Sequence, residues 1–440
     1  MLTLQSGDIW EMVSSGDKQK NMNKPTLVLQ APIFSRSGYG DHSRDILKSI
    51  FDMNKYDVKV IPTNWGATPA NQTMSDTEFG QKMIKSVITQ LTEKPDIYIN
   101  VSVANEFKPV GKYNIGITAG VETTLAPSTF ITGCNLMDLI IVPSEFTKET
   151  LQKTEYQEVD KRTNKQTGIL KITTPIEVIF EGVDLSIFNG KTKDTEILDN
   201  IPTSFNFLFV GHWLQGNLGQ DRKDVGMMIK TFCTVFQKTQ KKFQPGLILK
   251  TSSAGFSIGD RHRITKKIEE ITKSFGENCP PVYLLFGDLK ETELNELYNH
   301  PKVKSMLMFT KGEGYGRPLA EFATTGKPII VSKWSGHLDF LPEEHTVYLD
   351  GDVKQVDKSA VNDFILSEGK WFTVNYSNAA NKISDVDKNY KQHLISSKGL
   401  QSNIRENFSL EKMNQKFNEV FKKYVKVVEH KPFIPIMKKI

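Results

Sequence analysis

The stretch TKGEGYGRPLAEFATTGKPIIVSKWSGHLDFL, residues 310–341, brings glycines, an arginine and two carboxylates to one predicted turn. The apolar run before it predicts a strand, and Pro318 is typical of the first turn of a helix, where a missing N–H group costs nothing. We therefore expect a helix from about Arg317 to Thr325, with Gly326 as its stop. The glycines before this helix permit positive φ and a close approach of a ligand to the backbone.

Two glutamates belong to this turn. Glu313 lies just before the predicted helix and Glu321 lies about one turn inside it. Because the start of a helix attracts anions, we expect its amides to hold phosphate while Glu313 accepts hydrogen bonds from sugar hydroxyls. Glu321 can accept from two neighbouring hydroxyls, as on a ribose. The alternative is an ordinary strand–turn–helix unit with solvated glutamates.

The composition is that of a globular chain of two domains. Its 440 residues suit two domains of about 200 residues each, and 38% hydrophobic with 24% charged residues excludes a disordered chain. The net charge of +5 permits an anionic partner such as a sugar nucleotide, a phosphate or DNA. The three cysteines form no CxxC pair and predict reduced thiols in the cytoplasm. No apolar run approaches the ~18 residues of a membrane span.

Apolar runs alternate with helical patterns through the first half of the chain, from TLVLQA (26–31) to DLIIVPS (138–144). Helices are predicted over DHSRDILKSIF, with Asp41 as the N-cap, and over DTEFGQKMIKSVITQL (76–91). The polar region 155–171 predicts a hairpin or a surface loop. Strands that are apolar throughout and separated by helices are typical of a parallel sheet covered on both faces.

The same alternation restarts at FNFLFVG (205–211) and continues to TVYL (346–349), which predicts a second doubly wound α/β sheet. Two amphipathic helical stretches follow. Open parallel sheets bind ligands outside the carboxyl ends of their strands, so we expect the two sets of loops to share a cleft. The expected division is a polar arm without a signal-peptide core over 1–24, a first domain over 25–195, a second over 196–410, and a helix and tail over 411–440.

The stretch 310–341 resembles the signature of the retaining GT-B-fold glycosyltransferases of family four, also called glycosyltransferase group 1. That signature has two glutamates separated by seven residues, then G-x-P-V-V and a glycine-rich turn. IEVIFEGVDLSIF (176–188) is similar to the family's V-I-x-N-G-V-D-x-x-x-F, with Phe180 and Glu181 departing from it. FLFVGHWLQGNLGQDRKDVGMMIKTF and DLIIVPSEFTKETL also resemble family segments, and the resemblance spans most of residues 26–345.

The resemblance implies the GT-B architecture: two Rossmann-like domains that face a cleft, with C-terminal helices packing back toward the N-terminal domain. It implies that Glu313 contacts the hydroxyls of the donor sugar and that Glu321 binds the donor ribose. The backbone amides expected to meet the sugar and the diphosphate are those of Gly314, Tyr315, Gly316 and Arg317.

In the family, an arginine and a lysine after the first C-terminal strand hold the diphosphate. This chain has His212 at the arginine position, so we assign the diphosphate to Arg222 and Lys223. A basic pair at a helix start opposes the dipole, which favours an anion there; the alternative is a solvated helix start. Lys250 is a weaker candidate, and His212 alternatively only ends its strand.

The glycine-rich loop SRSGYGDHSRD resembles the family's first loop, in which Gly38 and Gly40 would allow the donor phosphate and the acceptor to approach. Arg36 and His42 are candidates for the cleft or for the surface. Glu122 stands where the family usually has a histidine near the reacting carbon. It can stabilise positive charge on the sugar ring, orient the acceptor hydroxyl, or cap a helix.

The resemblance implies sugar transfer with retention from a UDP- or GDP-sugar co-substrate, with no required cofactor and no metal. The catalytic candidates are Glu313, Glu122, Arg222 and Lys223. The DVD of residues 385–387 imitates a metal-binding DxD motif, but it lies in a predicted surface helix and is interpreted as chance.

Phrases such as GHWLQG and WSGHLDF look similar to glycosyltransferases encoded by tailed phages, which would work in the host cytoplasm. One candidate acceptor is then a hydroxymethylated base in phage DNA, and the others are a cell-surface or virion glycan or a protein. Arg36, Arg44, Lys112 and the loop around 161–165 are the candidate DNA contacts. Rival classes are a bilobal sugar-binding protein, a nucleotide-sugar epimerase or phosphorylase, and a nicotinamide oxidoreductase. No feature indicates an oligomeric state.

Overall fold

The computed structural model describes residues 24–66, 68–160, 162–163, 165–191, 196–253 and 256–425. Residues 1–23 of the predicted arm, residues 192–195 near the predicted linker, and the tail after residue 425 lie outside the described residues.

The first half of the chain forms a parallel sheet between helices. Its strands are β1 (Thr26–Ala31), β2 (Asp57–Pro62), β3 (Ile97–Val101), β4 (Tyr113–Ile117), β5 (Leu139–Val142), β6 (Tyr156–Val159), β7 (Gln166–Leu170) and β8 (Ile176–Val178). Its helices are α1 (Gly38–Met53), α2 (Glu78–Lys85), α3 (Ser128–Asn135) and α4 (Glu145–Lys153). The sheet order is β2-β1-β3-β4-β5-β8, with every neighbouring pair parallel. Strands β6 and β7 pair as an antiparallel hairpin, as one of the two predictions for residues 155–171 had it.

The second half repeats this plan. Its strands are β9 (Asn206–His212), β10 (Gly246–Ser252), β11 (Val282–Leu285), β12 (Val303–Met308), β13 (Ile329–Ser332) and β14 (Val347–Leu349). Its helices are α5 (Val225–Phe236), α6 (Ile258–Thr272), α7 (Glu291–Asn299) and α8 (Arg317–Ala323). The sheet order is β11-β10-β9-β12-β13-β14, again parallel throughout. The predicted architecture of two doubly wound sheets is confirmed.

Several helices begin just after a serine or threonine whose side chain accepts a hydrogen bond from the backbone N–H three residues later. These N-caps are Ser37, Thr77, Ser144, Ser257 and Ser409. The prediction of Asp41 as N-cap is therefore wrong. Ser37 caps α1, and the helix begins at Gly38, three residues before Asp41.

Two other predictions need correction. The helix predicted over residues 76–91 ends at Lys85, because Val87 pairs as an isolated β-bridge with Val60 of β2. Among the described residues after 375 there are four helices, where two amphipathic stretches were predicted. They are α9 (Tyr376–Lys388), α10 (Tyr390–Ser396), α11 (Lys398–Asn407) and α12 (Leu410–Tyr424).

Helix α12 returns to the first half of the chain, as predicted. The rings of Tyr56 and Phe421 meet edge to face with centroids 6.2 Å apart, and Nζ of Lys423 lies 2.7 Å from Oε1 of Glu177. Apolar residues of both sheets and of α12 belong to one continuous core. This packing joins the two halves of the chain.

An antiparallel hairpin was not predicted. Its strands β15 (Gly351–Gln355) and β16 (Lys370–Val374) follow β14, and residues 356–369 connect them. Trp371 is buried there in a small separate apolar cluster with Val356, Ala360 and Ile365.

Candidate active site

The turn predicted between β12 and α8 is present. Helix α8 begins at Arg317 with Pro318 in its first turn and ends at Ala323, slightly short of the expected Thr325. Gly316 precedes it at φ 103°, a conformation that favours glycine. Helix α8 has only 7 residues, so we do not assign a phosphate site to its N-terminus.

Two glycines of the turn are needed for contact between the two halves of the chain, which was not predicted. A Cβ atom at Gly312 would lie 2.0 Å from the carbonyl oxygen of Glu122, and one at Gly314 would lie 2.0 Å from that of Ala119. The carbonyl of Gly314 also accepts a hydrogen bond of 2.6 Å from Oγ of Ser144. These glycines therefore allow the backbones of the two halves of the chain to touch.

Glu313 lies at the centre of a buried ionic cluster. Its Oε1 atom is bound by Nζ of Lys223 and accepts a 2.7 Å hydrogen bond from Thr310. Its Oε2 atom lies 3.2 Å from Nη1 of Arg222. Burial alone would raise the pKa of Glu313, but Lys223 and Arg222 outweigh it and hold the pKa at about 2. Glu313 is thus an anion paired with the two cations that were assigned to the diphosphate.

Arg222 also reaches the first half of the chain. Its Nε atom lies 2.9 Å from Oε2 of Glu122, which follows β4. Burial raises the pKa of Glu122, and Arg222 opposes that shift. Glu122 caps no helix in the described chain, since α3 begins at Ser128 with Pro127 at its N-cap position. The helix-capping role considered for Glu122 is therefore not seen in the described residues.

A second cluster surrounds Arg317. Its Nη1 atom lies 2.8 Å from Oδ2 of Asp45 on α1, and its Nε atom lies 2.9 Å from Oε1 of Glu321. Glu321 also accepts a 3.3 Å hydrogen bond from Tyr298. Burial, together with nearby carboxylates, outweighs Arg317 and raises the pKa of Glu321 to about 8. Arg317 lines the cleft, whereas Glu321 is not among the lining residues.

The sequence analysis missed one acidic residue of the site. Glu181 lines the cleft, and its Oε2 atom lies 3.9 Å from Nη1 of Arg317. Burial raises its pKa to about 7, against the opposing effect of Arg317. The sequence did contain a signal for this residue. Glu181 stands where the resembled N-G-V-D pattern has asparagine, so a carboxyl group replaces an amide at a buried position.

Two further residues form the wall beside β9 and β10. His212 ends β9, and its Nδ1 atom lies 3.1 Å from Oγ of Ser252. Burial, with the nearby cations, lowers the pKa of His212 to about 4, so it is neutral at pH 7 and does not replace an arginine's charge. Lys250 donates a 2.6 Å hydrogen bond to the carbonyl of Gly287, and burial lowers its pKa to about 8.

The start of α1 forms the opposite wall. Gly38 is exposed there, with no atom within 4 Å of a Cβ added to it. Gly40 is buried, and a Cβ would lie 2.1 Å from the carbonyl oxygen of Ser35, so it serves packing. The rings of Tyr39 and Trp65 stack with centroids 4.0 Å apart beside Gly38.

These walls enclose an interdomain cleft of about 460 Å³. The predicted site residues that line it are Gly38, Glu122, His212, Arg222, Lys223, Lys250, Glu313, Gly314, Tyr315, Gly316 and Arg317. Gly40 and Glu321 lie outside this lining, and so do the cleft candidates Arg36 and His42, of which His42 is buried.

In the part of the chain that the structure describes, no group of three or more histidine, cysteine, aspartate or glutamate residues is arranged to hold a metal ion. Asp385 of the DVD stretch lies in α9, where its Oδ2 atom is 2.7 Å from Nε2 of His393. No helix in the described ranges combines the length and the apolar character needed to cross a membrane.

No protein-family model matches the chain, and no curated protein matches it in sequence. Solved structures do match over nearly the whole chain. A glycosyltransferase from Rickettsia africae ESF-5 has 15% identity and a TM-score of 0.58 over 92% of this chain and 99% of its own. Anabaena Alr3699/HepE in complex with UDP and glucose has 13% identity and a TM-score of 0.59 over 91% and 100%.

The chain has the GT-B fold. The trehalose-6-phosphate synthase OtsA is a further GT-B neighbour, with 12% identity and a TM-score of 0.57 over 91% of this chain and 99% of its own. In this fold the two sheets face each other across the cleft that holds Arg222, Lys223 and Glu313.

Proposed function

We propose that the protein is a retaining glycosyltransferase that moves a sugar from a nucleotide-diphosphate sugar to an acceptor hydroxyl. The observation that carries this proposal is the buried cluster of Arg222, Lys223 and Glu313 at the centre of the GT-B cleft. Two cations and one carboxylate side by side suit a ligand that has both a diphosphate and hydroxyl groups.

Each group of the cluster has a role in this proposal. Arg222, Lys223 and Lys250 stabilise the diphosphate as it leaves, which needs positive charge in a site sheltered from water. Glu313 accepts hydrogen bonds from the sugar's hydroxyls once the cations turn to the diphosphate. Glu321 binds the ribose, for which Arg317 must first release it, since its Oε1 atom is 2.9 Å from Nε of Arg317.

The step breaks the bond between the anomeric carbon and the diphosphate oxygen and forms one between that carbon and the acceptor oxygen. The acceptor's proton passes to the departing phosphate, so no enzymic nucleophile is needed. Glu122 orients the acceptor hydroxyl or stabilises the developing positive charge. The reaction would take place in the cytoplasm, of the host if a phage encodes the chain.

A UDP-sugar is the first donor to test, because Anabaena Alr3699/HepE is described in complex with UDP-glucose. A GDP-sugar is the second. The cluster of Arg222, Lys223 and Glu313 meets the diphosphate and the sugar, which the two donor classes share, and it leaves the base unassigned.

Of the acceptor classes considered, hydroxymethylated DNA has less support than a glycan. Arg44 is buried and donates hydrogen bonds of 2.9 and 3.0 Å to the carbonyls of Ile33 and Ser35, so its predicted contact with DNA is wrong. Arg36 pairs with Asp288 of the second half of the chain, and Nζ of Lys112 lies 2.8 Å from Oδ1 of Asp96. Of the loop around 161–165, residues 161 and 164 lie outside the described residues. We therefore favour a glycan acceptor.

The test is product analysis by NMR after incubation with UDP-glucose, GDP-mannose or another nucleotide sugar, with and without acceptors. We expect free nucleoside diphosphate and a new glycosidic bond of the donor's own anomeric configuration. An epimerised nucleotide sugar formed without acceptor, or a sugar phosphate, would assign the cleft to another enzyme class.

A further inference from the structure

The hairpin of β15 and β16 reaches from the second half of the chain onto the first. The carbonyl of Lys370 accepts a 2.8 Å hydrogen bond from the backbone N–H of Thr124, and its N–H donates one of 3.0 Å to Oγ1 of Thr124. The ring of Phe364 lies against that of Phe130 with centroids 5.9 Å apart. The connecting segment 356–369 is therefore held beside the loop that carries Glu122.

A small pocket of about 130 Å³ lies between this segment and the cleft. Its apolar walls are formed by Leu214, Ile365, Trp371 and Phe364. Phe364 is 41% exposed. Glu122 and Arg222 line it as well as the main cleft. We call this the hairpin pocket. Because pockets for drug-sized ligands measure ~300–1,000 Å³, its size suits a single ring.

The polar groups of the hairpin pocket suit hydroxyls. Oε2 of Glu122 faces Arg222, while its Oε1 atom accepts no hydrogen bond from any described residue. Gln215 donates a 2.9 Å hydrogen bond to the carbonyl of Val361 through Nε2, which leaves its amide oxygen as an acceptor. Oδ1 of Asn362 accepts from the backbone N–H of Phe364, which leaves its NH₂ group as a donor.

The charged residues that line the hairpin pocket do not favour a polyanion as its ligand. Arg222 is its only cationic lining residue among those described, and in the proposed function that cation binds the diphosphate of the donor. A base carried on DNA would bring phosphates that need cations close by. A neutral sugar ring needs an aromatic surface for its C–H face and acceptors and donors for its hydroxyls, and both are present.

We propose that the hairpin pocket binds an uncharged hexopyranose ring of the acceptor and that Glu122 receives the hydroxyl to be glycosylated. This inference rests on the proposed glycosyltransferase function and adds the class of acceptor. Phe364 would be a specificity-determining residue supplied by the C-terminal half of the chain. The segment 356–369 would then contribute to the choice of acceptor, while Arg222 lines both the hairpin pocket and the main cleft.

The test compares Phe364→Ala with the matched control Phe243→Ala, a phenylalanine that is 67% exposed and lies outside both pockets. Calorimetry measures the affinity for UDP-glucose and GDP-mannose. Saturation-transfer NMR, with UDP present, measures binding of methyl glucoside, galactoside and mannoside in both anomeric forms. We expect at least one glycoside to bind wild type, Phe364→Ala to weaken it about tenfold or more, and both variants to keep the wild-type donor affinity.

Three results would overturn the inference: no glycoside binds, Phe364→Ala binds the glycoside as well as Phe243→Ala does, or only a hydroxymethylcytosine duplex serves as acceptor. Failure of the proposed function is a separate result. If a glycoside binds in a Phe364-dependent way but no nucleotide sugar binds, the pocket assignment stands and the transferase proposal fails.

Discussion

The Nε atom of Arg222 lies 2.9 Å from Oε2 of Glu122, and this ion pair joins the two halves of the cleft. Through Nη1 the same side chain also holds Glu313. One arginine therefore contacts a carboxylate from each side of the proposed reacting centre. A donor diphosphate must compete for this cation, so the cluster couples donor binding to the position of Glu122.

Replacement of Lys223 by glutamine should weaken donor binding by about tenfold to a hundredfold, since a hydrogen bond to a charged group contributes ~1.5–3 kcal/mol. Glu313 keeps Arg222 as a partner, so the variant should stay folded. Calorimetry with the nucleotide sugar measures the change, and Lys112→Gln, outside the cleft, is the control. Equal donor affinity in Lys223→Gln and wild type would remove Lys223 from the diphosphate site.

The two glutamates of the α8 region should give different kinetic defects. Glu321→Gln removes the proposed ribose acceptor and should raise the donor KM with a small change in kcat. Glu313→Gln removes contacts to the reacting sugar and should mainly lower kcat. Steady-state kinetics distinguish the two patterns, with the exposed Glu149→Gln as a control. The opposite pattern would mean that the two assigned roles are exchanged.

Glu313 should make stability depend on pH in acid. Its pKa is about 2 in the folded protein against an ordinary value of 4.5, so its contribution is complete above about pH 4.5 and is lost as the pH falls through 2. The shift corresponds to roughly 3 kcal/mol. The difference in free energy of unfolding between wild type and Glu313→Gln should therefore shrink across this range, whereas Glu149→Gln should follow wild type. A constant difference would contradict the assigned ion pairs.

Alanine at Gly312 or Gly314 should destabilise the protein, because each Cβ would lie 2.0 Å from a backbone oxygen of the other half of the chain. Such a clash forces the two halves apart and should also lower donor affinity. Gly259→Ala is a matched control, since its Cβ meets no atom closer than 3.9 Å. Thermal unfolding and calorimetry measure both effects. If Gly314→Ala were as stable as the wild type, the contact between Gly314 and Ala119 would not require glycine, and this prediction would be wrong.

The sheets could be predicted because their strands are short apolar runs that are buried on both faces, such as IYINV of β3. The hairpin of β15 could not, because its strand GDVKQ is largely exposed and has no apolar pattern. The role of Gly312 depends on a carbonyl almost two hundred positions earlier in the chain, at Glu122, and no local pattern indicates that contact.

Charge was the least predictable property. Arg44 has the charge of a DNA contact, but its guanidinium donates to the backbone carbonyls of Ile33 and Ser35 and is buried. His212 has the position of a phosphate-binding residue, but burial keeps it neutral. For Arg222 and Lys223 a nearby anion could be predicted, because a basic pair before a helix is unfavourable without one. That this anion is Glu313 could not be predicted, because the contact joins residues distant in the sequence.

The most direct test of the account is calorimetric titration of the wild-type protein with UDP, UDP-glucose, GDP and GDP-mannose, repeated with Arg222→Gln. We predict saturable binding of one equivalent of at least one nucleotide sugar, weakened at least about tenfold in the variant because a charged hydrogen-bond donor is lost. Absence of binding for all four ligands, or equal affinity in wild type and variant, would contradict the assignment of this cleft to a nucleotide-sugar donor.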